Sequence, residues 1–254
     1  FESMVRDEQC TVFLALAGAV VAAGLRTVIA DLMRRRLIDA LVSTGANMVH
    51  DLIEALGGHH YKGHWLIDDY LLYKYHIYRI YDIFVPEDDY VKADSKLAEM
   101  FDDIAAKNKG KALSTNELMR EIGMRLKDPT SIVRSAYESN VPIFVPALRD
   151  SEFAFIHKIH EQRNKSGKAL VVDAFKEVPK MLDIMERSQR LGMVVIGGGV
   201  PRNSVQHAAL IVGKGHDYAV VITTDRPEPG GLSGSTIEET ISWGKVKSKA
   251  QKTM

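Results

Sequence analysis

Met193-Val194-Val195-Ile196-Gly197-Gly198-Gly199-Val200-Pro201 reads as a buried strand that runs straight into a glycine-rich turn. A helix is expected behind it over residues 203–212, then a strand over 218–223. The same alternation opens the chain. Thr11-Val12-Phe13-Leu14-Ala15-Leu16 is short, continuous and apolar, as a strand buried on both faces must be, and Gly18 follows closely. A helix over 20–36 ends in Arg34-Arg35-Arg36, cations that suit the negative end of a helix dipole. A strand over 38–42, the turn Ser43-Thr44-Gly45-Ala46-Asn47 and a helix to Leu56 repeat the unit. Repeated strand, turn and helix imply parallel strands joined by crossover helices.

The middle of the chain differs. Residues 57–88 are rich in His, Tyr and Asp and lack a clean period, so an irregular excursion is expected there, with a short helix over 69–74. Helices follow over 90–106, 114–125 and 131–139, and Ser114 with Glu117 has capping-box spacing. The segment 142–146 reads as a strand, 152–161 as a helix, 169–172 as a strand, and 173–191 as a helix that Pro179 interrupts or bends. Thr236 to Ser242 reads as helical, and the tail from Lys245 as polar and basic. No linker or internal repeat stands out. The expected fold is α/β, a Rossmann-like open parallel sheet with helices on both faces, formed as one domain over 1–254.

Composition narrows the function. The 254 residues carry 33 Lys plus Arg and 33 Asp plus Glu, so the formal charge is zero; a general nucleic-acid binder would be basic. With 46% hydrophobic residues the chain can build a core and is not a disordered one. The longest apolar stretch, 11–25, is too short to span a membrane, and no signal peptide is visible. The lone Cys10 cannot form an intrachain disulfide, which fits a reducing, cytoplasmic setting. The first residue is Phe1, so a fragment or processed form is expected.

Glycines between a strand and a helix let a backbone approach phosphate, and the helix start offers free N–H groups. Gly197-Gly198-Gly199 has that context without the G-x-G-x-x-G spacing, so a tight turn at a strand end competes with nucleotide binding. Ala17-Gly18-Ala19 and Ser43-Thr44-Gly45-Ala46-Asn47 lie at similar strand ends, where ligands of open sheets bind. No metal site is expected. His60 and His64 are spaced i, i+4, but Gly57, Gly58 and Gly63 disfavour a helix there; His157 and His160 read as a polar helix face. The stripe Tyr70, Tyr73, Tyr75, Tyr78 and Tyr81 reads as packing or subunit contact. Lys245 follows Trp243-Gly244 and the acidic pair Glu238-Glu239. Most lysines are solvated, yet an apolar pocket would lower the pKa of this one and free its amine for imine chemistry.

Ile241-Ser242-Trp243-Gly244-Lys245 together with Gly197-Gly198-Gly199-Val200-Pro201 resembles the deoxyhypusine synthase family, in its archaeal form. Ser43-Thr44-Gly45-Ala46-Asn47, Pro146-Ala147-Leu148-Arg149-Asp150-Ser151-Glu152 and Gly230-Gly231-Leu232-Ser233-Gly234 match as well, in the same order from Phe1 onward. The resemblance implies a transferase that uses NAD to oxidise spermidine. Its aminobutyl group is carried as a lysine imine to one lysine of a translation-factor precursor. By position, Lys245 is the imine-forming lysine. Trp243, Glu239, Asn203, Gly230 and Gly231 line the polyamine pocket. Gly18, Ala19, Thr44, Gly45, Ala46, His50, Asp150, Gly198, Thr224 and Asp225 contact NAD. Family members are homotetramers with sites at dimer interfaces.

Some positions depart from the family. Asn203 stands where eukaryotic members have a polyamine-binding His, Phe155 and Leu232 where they have acids, Gly18-Ala19 for a Ser-Asn pair, and His50 for a Glu. A homospermidine synthase-type enzyme, which moves the same group to putrescine, shares the lysine and NAD. A paralogue that binds NAD without turnover is the non-enzyme reading. Against the family, an N-terminal segment and a last strand with an Asp-Ala pair are expected to be missing.

Overall fold

The computed structural model describes residues 1–164 and 169–254. A short helix α1 (Glu2–Arg6) leads into β1 (Cys10–Leu16). A π-helical turn (Val21–Leu25) and α2 (Arg26–Arg34) bring the chain back to β2 (Ala40–Ser43), and α3 (Gly45–Ala55) follows. The excursion holds β3 (Tyr61–Lys62), α4 (Asp69–Lys74), β4 (Ile77–Ile80) and β5 (Ile83–Pro86). Three helices, α5 (Glu87–Asn108), α6 (Thr115–Arg125) and α7 (Ile132–Ser139), precede β6 (Ile143–Phe144). Then come α8 (Phe153–Arg163), α9 (Glu177–Arg187), β7 (Arg190–Ile196), α10 (Gly199–Ile211), β8 (His216–Ile222), α11 (Ile237–Ser242) and β9 (Val246–Thr253).

Six of these strands form one parallel sheet in the order β6-β2-β1-β7-β8-β9. Numbered among themselves they run 3-2-1-4-5-6, the doubly wound order whose direction reverses between β1 and β7. Register fixes that crevice: Leu16 pairs with both Ser43 and Ile196, and Ile196 pairs with Ile222, so four strands end at one level. Alternation along β1 sends Leu14 and Leu16 to one face and Phe13 and Ala15 to the other. The first face packs on Ile29 and Met33 of α2, Leu52 of α3 and Phe101 of α5. The second packs on Met181 and Met185 of α9 and Val205 and Ala209 of α10. Helices thus cover both faces, as the sequence pattern required.

Local signals held at the caps. Ser114 Oγ accepts the Glu117 N–H at 3.3 Å, while Glu117 Oε2 accepts the Ser114 N–H at 2.8 Å. The expected helix over 20–36 is present but bends at Gly24, whose φ of 101° no other residue adopts easily.

Three expectations are corrected, and the tail gains an element. The excursion is not irregular: β3, β5 and β4 form a small antiparallel sheet. Its β4–β5 turn passes through Tyr81 at φ 55°, so it lacks the Gly or Asn that marks such hairpins in a sequence. Residues 169–172 form no strand; only Val172 bridges, to Leu113. Pro179 does not bend α9, because it lies in the first turn, where no N–H is needed. The polar tail is strand β9, paired with β8 through His216–Val246 and Tyr218–Gln251. Its lysines face outward, so no apolar alternation betrays it.

Candidate functional site

The crevice at the carboxyl ends of β1, β2 and β7 is stitched by short-range hydrogen bonds. The Ala17 N–H donates to Ile196 O at 2.9 Å, and the Gly197 N–H to Ile222 O at 2.8 Å. Gly197 has φ +85°, and a Cβ on it would lie 3.2 Å from the Ala17 Cβ. Ser43 Oγ donates to Leu16 O at 3.0 Å, and Asn47 Nδ2 to the same oxygen at 3.3 Å. Asn47 Oδ1 also accepts the Val21 N–H, tying the first two turns together. Thr44 caps α3 by accepting the Asn47 N–H.

Gly45 is required by a neighbour. A Cβ there would collide with Ser151 Oγ, so the loop after β6 seats against the start of α3. That contact brings the Asp150 loop to Thr44, Gly45 and Ala46, beside Gly18 and Ala19; Asp150, Ala46 and Gly18 are exposed. Gly18 has φ +69° and open space where a side chain would stand. An anionic group could approach this backbone closely. Gly198 is different: a Cβ would fall 2.5 Å from the Ser233 Cα, and Ser233 Oγ accepts the Gly199 N–H at 3.2 Å. Its missing side chain accommodates the 230–235 loop. Thr224 and Asp225 lie exposed behind β8, and Gly230 and Gly231 are open on their loop.

A second group surrounds Lys245. This lysine is only 7% exposed. Its Nζ stands 4.9 Å from the centre of the Trp243 ring, a cation–π distance. Burial holds the amine below the usual lysine value; Glu239 opposes the shift and Arg202 adds to it. Arg202 is fully buried and donates to the carbonyls of Leu232, Ser233 and Ser235. Burial lowers its pKa too. Asn203, beside it on α10, turns its carboxamide to His207 Nδ1 at 2.9 Å. Arg202 was not singled out from the sequence, although residues 202, 205 and 209 share one helical face with the apolar core, and a charge there is the signal.

Lys245 and Thr44 stand at opposite ends of the sheet. Lys245 precedes β9, whose Val246 pairs with His216 at the amino end of β8. Thr44 lies four strands away at the carboxyl end. Strand spacing and rise put the two backbones roughly 25 Å apart.

Among the described residues, no three His, Cys, Asp or Glu side chains are placed to hold a metal, and no helix is long and apolar enough to cross a membrane. His60 is engaged with Glu54 and His50, and His64 Nδ1 accepts the Leu66 N–H. Two buried histidines set a pH dependence. Burial drops His50 and His216 from the ordinary 6.5 to about 4. The unfolded chain therefore holds protons that the folded chain rejects. Stability should be complete above pH 6.5 and fall toward pH 4, by up to about 1.4 kcal/mol per pH unit per histidine. Urea midpoints between pH 7 and pH 5 measure this; a midpoint unmoved over that range would contradict it.

Strand order, crevice and a lysine buried beside an indole define an α/β protein of the doubly wound class that holds a desolvated amine. The profile of one family, deoxyhypusine synthase, matches residues 1–254. The chain belongs to the deoxyhypusine synthase family, a family of transferases. It is 42% identical over 262 residues to a protein of Methanosarcina acetivorans assigned as a deoxyhypusine synthase, covering 99% of this chain and 74% of that one. A protein of Archaeoglobus fulgidus with the same assignment is 40% identical over 257 residues, covering 98% and 83%. A deoxyhypusine synthase-like protein of Chlorobaculum parvum is 40% identical over 255 residues, covering 96% and 71%. A crystal structure assigned as a deoxyhypusine synthase, from Entamoeba histolytica, shares the fold with a TM-score of 0.64 at 20% identity, over 98% of this chain and 80% of that one.

Proposed function

We propose that this chain is a cytoplasmic, single-domain aminobutyl transferase that moves the aminobutyl group of spermidine to one lysine of a translation-factor precursor. The observation that carries the reading is Lys245, buried against Trp243 with its pKa lowered. A neutral amine is the form that attacks an imine carbon. Lys245 Nζ adds to the oxidised donor's C=N carbon, and 1,3-diaminopropane leaves with its nitrogen. The acceptor lysine then adds to the same carbon, and Lys245 leaves as the free amine. Glu239 faces the donor's ammonium groups, and the Trp243 ring offers a cation a second surface.

The crevice fits NAD. The strand order reverses there, Gly18 leaves space above its backbone, and the turns after β1 and β2 are locked together. Gly18, Ala19, Thr44, Gly45, Ala46, His50 and Asp150 would hold it, with Gly198, Thr224 and Asp225. When bound, NAD supplies the oxidation of the donor and the reduction of the product imine.

The separation of Lys245 from Thr44 supports a site shared between copies, in a homotetramer. Lys245→Ala and Asp150→Asn, each inactive alone, should together recover about a quarter of wild-type activity when co-expressed, because half of randomly mixed pairs hold one intact site of two. No recovery would place both groups in one subunit's site.

One observation favours a second reading. Asn203 is turned to its own helix, and Phe155 and Leu232 are apolar, with Phe155 66% exposed. These residues leave the polyamine end with few charges, so putrescine as acceptor, in a homospermidine synthase-type reaction, is the alternative. Incubation with NAD and spermidine labelled in its butyl part, plus either precursor or putrescine, separates them. Label in protein supports the first, and label in homospermidine the second. Label in neither, with NAD bound, leaves a binding paralogue.

A further inference from the structure

Three side chains line up along α3, two of them, His50 and Glu54, one turn apart on the helix itself. His60, in the loop before β3, has Nδ1 2.8 Å from Glu54 Oε1 and Nε2 2.9 Å from His50 Nδ1. His50 is 6% exposed and the His60 side chain 5%. The rings meet edge to face at 5.0 Å, and Tyr90 of α5 closes on His50 at 6.1 Å. Behind Glu54 stands Arg26 of α2, 3.4 Å from Oε2 and paired also with Asp51 and Asp128.

The first member sets the polarity of this chain. The hydrogen bond from His60 holds the Glu54 carboxyl below its usual range, and an ionised carboxylate can only accept. His60 must therefore donate from Nδ1. A neutral His60 then offers a lone pair at Nε2, and His50 must donate from its own Nδ1. The His50 proton is fixed on Nδ1, which leaves Nε2 an acceptor. An imidazolium at His60 would reverse the last bond. The tautomer of His50 distinguishes the two arrangements.

Among the described residues, nothing hydrogen-bonds His50 Nε2. The helix that carries it begins at the carboxyl end of β2, where Thr44 and Gly45 form the crevice. We infer that Glu54 and His60 are positioning residues, which hold His50 as the Nδ1–H tautomer so that Nε2 accepts a hydrogen bond from a hydroxyl or protonated amine of the molecule bound there. The ligand half rests on the proposed cofactor site; the tautomer does not.

Ring-nitrogen shifts of the full chain labelled with 15N-histidine test it, His50 being assigned by its loss in His50→Gln. At pH 7 wild type should show a protonated Nδ1 and a bare Nε2 at His50. His60→Phe should release the ring toward the Nε2–H form and weaken NAD binding, by calorimetry, about tenfold. His60→Gln, whose side-chain oxygen can accept the same bond, should restore most of both. Should His60→Phe not fold, Glu54→Gln keeps the shape and removes the charge, and a mixed tautomer is expected. An Nε2–H His50 in wild type, or a tautomer unchanged in the variants, overturns the positioning role. A changed tautomer with unchanged NAD affinity overturns the ligand half. If wild type binds no NAD, the cofactor reading fails, and the tautomer still decides the role of Glu54 and His60.

Discussion

Lys245→Arg should lower aminobutyl transfer by at least about a thousandfold, with the fold and NAD binding kept. Arginine preserves the positive charge and can still stack on Trp243, which lies 4.9 Å from the lysine nitrogen. It cannot form the imine, because its guanidinium does not give up a proton in a protein. The variant thus separates covalent chemistry from electrostatics and packing. Borohydride reduction during turnover should fix labelled aminobutyl on wild type and leave Lys245→Arg unlabelled. Label that persists on the variant would remove Lys245 from the reaction.

The largest effect on stability should come from Asp51→Ala. Asp51 is fully buried on α3 and accepts from Arg26 Nε at 2.6 Å and Ser131 Oγ at 2.7 Å. It also accepts the N–H groups of Ile132 at 2.9 Å and Val133 at 3.0 Å, in the first turn of α7. One carboxylate therefore joins α2, α3 and α7. Alanine would remove one of the carboxylates that hold the buried Arg26, leaving it Asp128 and Glu54, and would strand two helix-end donors. The expected loss is about 3–5 kcal/mol, read from urea midpoints at pH 7. Asp51→Asn keeps one acceptor oxygen and should fall between. A change below about 1 kcal/mol for Asp51→Ala would mean water replaces the carboxylate.

The sheet was legible because its strands are buried on both faces and so are written as continuous apolar runs, Phe13 to Leu16 and Met193 to Ile196 above all. What hid was structure that leaves no apolar trace. β9 gives the core only Val246 and part of Ala250, and the β4–β5 hairpin turns on a tyrosine. At the site, Lys245 and the glycine turns could be placed in the sequence by type and context. Their separation could not, because it follows from the parallel register of β8 and β9. The His50, His60 and Glu54 chain was equally silent: Gly57 and Gly58 part its members, and only the bend they permit brings the rings together. Arg202 was the one omission with a readable cue, a charge on a face otherwise given to the core.

The contacts of the 230–235 loop have an evolutionary consequence. Ser233 lies against Gly198, and a Cβ on Gly234 would strike the Arg226 carbonyl, so these glycines answer to backbone atoms that cannot swing aside. A substitution at residue 198 is viable only with a shift at 233, and the two positions are free to drift only together. Gly230 and Gly231 meet nothing within 4 Å. Gly230 keeps φ +73°, so among relatives length and composition should vary at residues 227–229 and freeze at 230 and 233–234, and lineages can remodel the rim of the pocket without loosening its hinge on α10.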